Sequence, residues 1–304
     1  MALPRTRHTL LACLTLALVT ACGGGGGGSE APATPTPEPV VVEKPATRNE
    51  AARFLTQATF GPVDADIDRL MAVGYAAWLD EQLALPATPV HRLHWEARDQ
   101  ALRAADPNAK AFGDQVLESF WKQAVTGPDQ LRHRVAYALS QIFVISMVDN
   151  GVSDNTRAVA AWLDMLGHQG LGRYRDLLET VSLHPMMGVY LSHLRNQKAD
   201  ARTGRVPDEN YAREVMQLFS IGLVELNPDG SAKLVDGKTV DTYTPADIGG
   251  LAKVFTGWSW SCPDWPNNNC FFNGSLDGVS NPDRSFAPMV GYPQYHSKEE
   301  KRFL

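Results

Sequence analysis

Six consecutive glycines at positions 23–28, followed by Pro32, Pro35, Pro37, Pro39 and Pro45, divide this chain before any periodicity is considered. A glycine run acts as a flexible joint and a proline-rich stretch as a semi-rigid spacer. Neither buries enough apolar area to offset its ordering entropy. Residues 22–47 are therefore expected to be a tether, and a fold has to be built from residues 48–304. Of the 304 residues 44% are hydrophobic and 20% charged, so the remainder is long enough for a sizeable core. The 28 basic residues are outnumbered by 34 acidic ones, which removes the basic excess that a nucleic-acid backbone requires; no nucleic-acid partner is expected.

Ahead of the glycines, Arg5 and Arg7 precede an apolar run over residues 10–19, and small residues then lead into Cys22. That is the order of a secretory signal, too short to be a membrane span followed by soluble protein. The sequence LVTAC at 18–22 resembles the bacterial lipobox, whose cysteine is acylated and becomes the new N-terminus. Residues 1–21 are read as a lipoprotein signal peptide and Cys22 as the lipid attachment site. Several acyl chains, at about 0.8 kcal/mol per buried methylene, make a stable membrane anchor. Gly23 follows the cysteine where an aspartate would resemble an inner-membrane retention signal, so an outer-membrane lipoprotein is expected, periplasmic or surface-facing. Of the four cysteines, Cys13 falls within the signal. The C-x7-C spacing of Cys262 and Cys270 suits a disulfide in an exported protein, two free thiols being the alternative.

From residue 48 the apolar residues recur at helical spacing. The pattern predicts helices over 64–73 and 75–85, separated by Gly74, and over 114–125 with Val116, Leu117, Phe120, Trp121 and Ala124 on one face. Another follows Asp129 with Leu131, Val135, Ala138, Leu139, Ile142 and Ile145 in register. Further helices are expected over 158–166, 174–182, 185–194 and 208–221, the last with Tyr211, Val215 and Leu218 inward. Turn signals at residues 227–230 and 236–237 predict a small hairpin, and Thr244-Pro245 restarts a helix to about Phe255. Beyond Gly257 the chain is rich in Trp, Asn, Pro and Gly without a regular pattern. The expected class is mainly α: a multi-helix globular domain with a small β-hairpin insertion and an irregular aromatic-rich loop.

Five segments in this order carry a resemblance: residues 53–62 (RFLTQATFGP), 131–143 (LRHRVAYALSQIF), 184–191 (HPMMGVYL), 209–219 (ENYAREVMQLF) and 252–258 (AKVFTGW). Together they resemble the bacterial family labelled domain of unknown function 1800. The resemblance implies an exported, mostly helical protein and carries no catalytic residues with it. Many relatives have glutamate and histidine where this chain has Gln217 and Phe219, which weakens a metal or acid-base site there. Relatives also continue past the motif that residues 296–304 resemble, so the helical domain is expected to be incomplete at its C-terminus.

The polar helix around 208–221 is the foremost candidate for chemistry. Glu209 and Glu214 lie five apart, about 140° around a helix, so this helix alone cannot present a two-carboxylate hydrolytic pair. Glu214 is the candidate acid or base, with Asn210 and Arg213 orienting it and Asp247 or His184 joining from elsewhere. A salt-bridge network that locks helix packing explains the same residues. His184, directly before Pro185, also reads as a residue that starts a helix with one hydrogen bond. Glu225, Asn227, Asp229 and Asp236 space like calcium ligands, though Pro228 and Lys233 spoil the loop and a plain turn accounts for it. No other metal site and no cofactor is expected. Trp258, Trp260 and Trp265 crowd the Cys262–Cys270 loop as a candidate binding loop, able to stack on a glycan or pack on an envelope protein. Two functions stay open: a lipid-anchored protein that binds or organises an envelope or extracellular component, and a secreted hydrolase of extracellular polymers that uses Glu214.

Overall fold

The computed structural model describes residues 43–263, 265–276 and 278–304. The expected signal peptide, the Cys22 attachment site and the tether up to residue 42 lie outside the described residues.

The architecture is mainly α. Its helices are α1 (Arg48–Ala58), α2 (Asp64–Val73), α3 (Tyr75–Ala84), α4 (Val90–Ala105), α5 (Gly113–Thr126), α6 (Gln130–Ser140), α7 (Asn150–Ser153), α8 (Thr156–Gln169), α9 (Tyr174–Leu183), α10 (Pro185–Tyr190), α11 (Asn210–Gln217), α12 (Pro245–Ala252) and α13 (Asn268–Asn273). Their starts follow from capping chemistry. The Thr47 hydroxyl accepts the Glu50 N–H at 3.2 Å, and Thr244 and Asp247 form a reciprocal capping box around Pro245. Gly74, at φ +87°, turns the chain between α2 and α3 in a conformation that side-chain-bearing residues rarely adopt.

Three small antiparallel pairs complete the fold: β1 (Leu234–Val235) with β2 (Lys238–Thr239), β3 (Trp258–Ser259) with β6 (Val290–Gly291), and β4 (Ser275–Leu276) with β5 (Val279–Ser280). The β1–β2 hairpin closes through Asp236 and Gly237, both at positive φ, as a twisted two-residue turn requires. The β3–β6 pair ties the start of the aromatic-rich segment to its end, with Trp258 opposite Gly291.

Helix α8 lies at the centre. It packs along α4 and α6 and also touches α5 and α9. Ala158, Ala160 and Ala161 are small enough to let its neighbours approach, while Trp162 and Leu166 fill the main core with Phe143, Leu177, Val181, Met187, Tyr211 and Phe219. Each large side chain in that cluster contributes roughly 1.5–3 kcal/mol of burial. A second cluster of Ala51, Leu55, Leu70 and Trp78 holds α1–α3 together.

Several expectations are corrected. Helix α4, sixteen residues long, was not expected at all. The helix after Asp129 ends at Ser140 and does not carry Ile142 or Ile145, and its buried face is Arg132, His133 and Ala136 while Ala138 and Ile142 are exposed. On α5 Val116 and Ala124 are buried, but Leu117 and Trp121 face outward. Helix α10 stops at Tyr190 because Ser192 and Arg195 take positive φ. Helix α11 spans only Asn210–Gln217; Tyr211, Ala212 and Met216 are its buried residues and Leu218 is exposed. Helix α12 ends at Ala252 rather than near Phe255, and the segment after Gly257 holds α13 and three short strands as well as irregular chain.

Candidate functional site

A cavity of about 580 Å³ opens between the α3–α4 loop, α6, α8 and α9, and is walled on its remaining side by Phe286 and Pro288. That volume falls within the range of roughly 300–1,000 Å³ usual for small-molecule sites. Ala161, Leu163, Met165 and Leu183 give it an apolar wall, and Arg132, His133, Asp164 and His184 place polar groups against it.

Arg132 is a buried cation, 9% exposed. Its two terminal nitrogens donate to the Gly167 carbonyl at 3.0 Å and the Leu85 carbonyl at 2.9 Å, which fixes the guanidinium plane against α8. Its Nε has no hydrogen-bond partner, and its positive charge acts on Asp129, whose pKa it helps to lower. His184, 5% exposed, is the N-cap of α10: Nδ1 accepts the Met186 N–H at 3.2 Å, so the ring proton sits on Nε2, which is buried without a partner. Its ring meets the edge of Trp162, with centroids 4.9 Å apart, and burial pushes its pKa down to about 3, which keeps it neutral.

Asp164 caps α4 from a distance. Its two carboxylate oxygens accept the N–H groups of His91 at 2.9 Å and Arg92 at 2.8 Å, at a helix start whose own N-cap, Pro89, offers no side-chain acceptor. Burial pushes its pKa up to about 6 in spite of those two bonds. Behind the cavity runs a polar chain: Ser119 Oγ lies 2.8 Å from His91 Nδ1, the His91 ring meets His133 at 5.3 Å, and His133 Nε2 lies 3.1 Å from Asp129 Oδ1. Burial, with His133 adding to it, pushes His91 down to about 3. Burial works to raise Asp129, but the contact with His133 prevails and holds it below the usual carboxylate range. Ser119 is fully buried, so this chain orders the wall and offers no accessible nucleophile.

The outer wall is strapped down. Arg157 pairs with Asp283 at 2.7 Å and with Glu96 at 2.5 Å, and its guanidinium lies 4.8 Å over the Phe286 ring. The Met289 N–H then donates to the Leu183 carbonyl at 2.8 Å, which seats the strap on the end of α9.

A family model described as "Protein of unknown function (DUF1800)" matches residues 53–304. The chain belongs to the DUF1800 family. Every element that lines the cavity falls inside the DUF1800 match. Neither a curated protein nor a solved structure matches this DUF1800 chain.

The residues singled out from the DUF1800 sequence do not converge. Only His184 lies in the cavity between α6, α8 and α9. Glu214 is half-buried on α11 with Oε2 unpartnered, and no hydrogen bond or ion pair among the described residues joins it to the other candidates. Asn210 is exposed, Arg213 pairs with Glu209 at 3.2 Å, and Asp247 accepts the Thr244 N–H at 2.8 Å and the Leu304 N–H at 3.0 Å. Asp247 and Glu209 share a second concavity with Lys253, Glu299 and Arg302, of about 690 Å³.

Within the expected binding loop, Cys262 and Cys270 form a disulfide. Trp258 and Trp260 are half-buried, the former donating to the Val254 carbonyl at 3.1 Å. Trp265, 49% exposed, presents its ring while its indole N–H donates to the Gly291 carbonyl at 2.7 Å. The possible calcium loop is a turn: Glu225 pairs with Lys233, Asp229 accepts the N–H and hydroxyl of Ser231, Asn227 bonds Ser231, and Asp236 sits in the hairpin turn. Among the described residues no three His, Cys, Asp or Glu side chains are grouped to hold a metal ion.

Arg132, His133, Asp164 and Arg92 were not foreseen as site residues. One signal was present: Arg132 and His133 are adjacent on a helix whose apolar neighbours leave them room on the inner face, a placement that a purely hydrophobic count assigns outward.

Proposed function

We propose that this DUF1800 chain is an exported, lipid-anchored binding protein that holds a small envelope or extracellular component in the cavity between α4, α6, α8 and α9. The observation that carries this reading is a cavity of ligand size, about 580 Å³, with Leu163, Met165 and Leu183 as its apolar wall and Arg132 and His184 among its lining residues. The lipobox-like sequence ending at Cys22 supports the anchor, and the Cys262–Cys270 disulfide supports an oxidising destination.

Two measurements test this. Radiolabelled palmitate fed to cells should label the wild-type chain and not Cys22→Ser; equal labelling of both removes the anchor. Titration of the full chain with the fluorescent probe anilinonaphthalene sulfonate should saturate at one site per chain and be lost in Thr180→Trp, which fills the cavity from α9. Unchanged binding in that variant places the probe elsewhere and removes the cavity reading.

The alternative, a secreted hydrolase of extracellular polymers, draws its support from the unpartnered buried Oε2 of Glu214. For that reading Glu214→Gln must abolish an activity while leaving thermal stability nearly unchanged. A large loss of stability assigns Glu214 to packing.

A further inference from the structure

We infer that a second, smaller pocket, at the C-terminal ends of α9 and α12, binds an organic ammonium group. It encloses about 250 Å³ and is lined by Glu179, Ser182, Leu183, Val254, Phe255 and Trp258. It shares only Glu179 and Leu183 with the larger cavity, so this inference goes beyond the reading above and does not rest on it.

The charges around this pocket have one sign. Glu179 is exposed, and its carboxylate has no hydrogen bond or ion pair among the described residues. Helix α9 ends at Leu183 and α12 at Ala252, two residues before Val254, so the lining sits at the ends of two helices where partial negative charge accumulates and cations are favoured. Neither helix has a basic residue in its last turn. Lys253, which follows α12, is engaged elsewhere: its ammonium pairs with Glu299 at 3.0 Å and donates to the Glu300 carbonyl at 3.2 Å. No Lys, Arg or His lines the pocket.

Phe255 and Trp258 supply aromatic side chains, which attract cations through their ring faces. The Trp258 indole N–H donates to the Val254 carbonyl at 3.1 Å and holds the ring in place. The Ser182 hydroxyl donates to the Leu178 carbonyl and accepts the Tyr211 hydroxyl, each at 2.7 Å, so it is occupied and offers no nucleophile. An unpaired carboxylate beside two aromatic residues, with no competing cation, suits an alkylated ammonium whose carbon atoms pack on Leu183 and Val254.

Choline and 3,3-dimethyl-1-butanol share a shape and differ by the positive charge. In ligand-observed NMR titrations of the full chain at neutral pH and low salt, choline should bind at least about fivefold more tightly, the ratio for an exposed ion pair combined with a cation–π contact. Glu179→Gln should reduce that preference severalfold and leave the alcohol unchanged. Phe255→Leu, which removes a ring that lines the smaller pocket and not the larger cavity, should weaken choline too. Thr180→Trp, which fills the larger cavity, should leave choline binding intact. Absence of saturable choline binding, equal affinities for the two probes, or choline binding indifferent to Glu179→Gln overturns the ammonium assignment. Loss of choline binding in Thr180→Trp puts the ligand in the larger cavity and overturns this site. The anilinonaphthalene sulfonate titration reads the larger cavity by itself, so each reading fails separately.

Discussion

The Arg132 guanidinium donates to the Gly167 carbonyl at 3.0 Å and so ties α6 to the last turn of α8. The carbonyl it bonds belongs to the C-terminal turn of a helix, where oxygens lack intrahelical partners, so this one side chain satisfies the helix end. Replacing Arg132 with methionine keeps the aliphatic packing and removes the donors to Gly167 and Leu85. A loss of about 2–4 kcal/mol in urea denaturation is expected. A change under about 1 kcal/mol would show that the tie is dispensable.

Asp164 acts on α4 through both of its carboxylate oxygens. Asp164→Asn keeps one of the two acceptors and turns an NH2 donor toward the other N–H, so it should lose about 1 kcal/mol at pH 7, while Asp164→Leu, which keeps neither acceptor, should lose about 2–3 kcal/mol. Equal losses in the two variants, read from thermal unfolding, would contradict this.

Acid should destabilise the protein below about pH 6.5. Burial holds His91 and His184 down at about 3 and His193, a buried residue just after α10 with Nε2 2.8 Å from the Ser182 carbonyl, at about 4, so between pH 6.5 and those values the unfolded chain binds more protons than the folded one and stability falls as the pH falls. Asp164 works in the opposite sense. Its folded pKa of about 6 lies above the ordinary 3.8, so acidification through that window favours the folded state. Three histidines outweigh one carboxyl, and the unfolding midpoint should drop steadily from pH 7 to pH 4.5. A midpoint that rises over that range would refute the burial of these rings.

Reducing the Cys262–Cys270 disulfide should loosen the chain locally. The loop it closes is short, so the chain-entropy argument gives about 2–3 kcal/mol at most. In the double variant Cys262→Ser/Cys270→Ser, hydrogen exchange should accelerate in α13 and the β3–β6 pair while α6 and α8 stay protected. Acceleration throughout would mean that the loop is integral to the core.

How much of this was legible in the sequence depended on whether side chains obey their usual polarity. The mainly α class, the starts of α2 and α3, the capped start of α12 and the hairpin at Asp236-Gly237 followed from apolar spacing and turn chemistry. Helix α4 was missed because its VHRLHWEARDQALRAA sequence is polar on most of its circumference. Its ion pairs at i,i+4, Arg92–Glu96 and Asp99–Arg103, were the available evidence. On α6 the apolar series Leu131, Val135 and Ala138 was expected inward, whereas Arg132 and His133 are the buried residues, the first held by two backbone carbonyls and the second beside Asp129. Spacing cannot reveal partners supplied by distant loops. Glu214 drew attention as the carboxylate of a dense polar motif, yet its neighbours turn to other partners: Arg213 to Glu209 and Asp247 to Thr244.

The strap that closes the cavity carries a further consequence for how the protein is made. Arg157 and Asp283, which fasten it, stand 126 residues apart in sequence, so the wall formed by Phe286 and Pro288 can dock only after all the helices that form the other walls have been produced. Contacts of such separation are among the last that a chain gains, because the loop between them must be closed first. The chamber is therefore completed late: a chain interrupted before Phe286 would possess α4, α6, α8 and α9 and still have an open trough in its place.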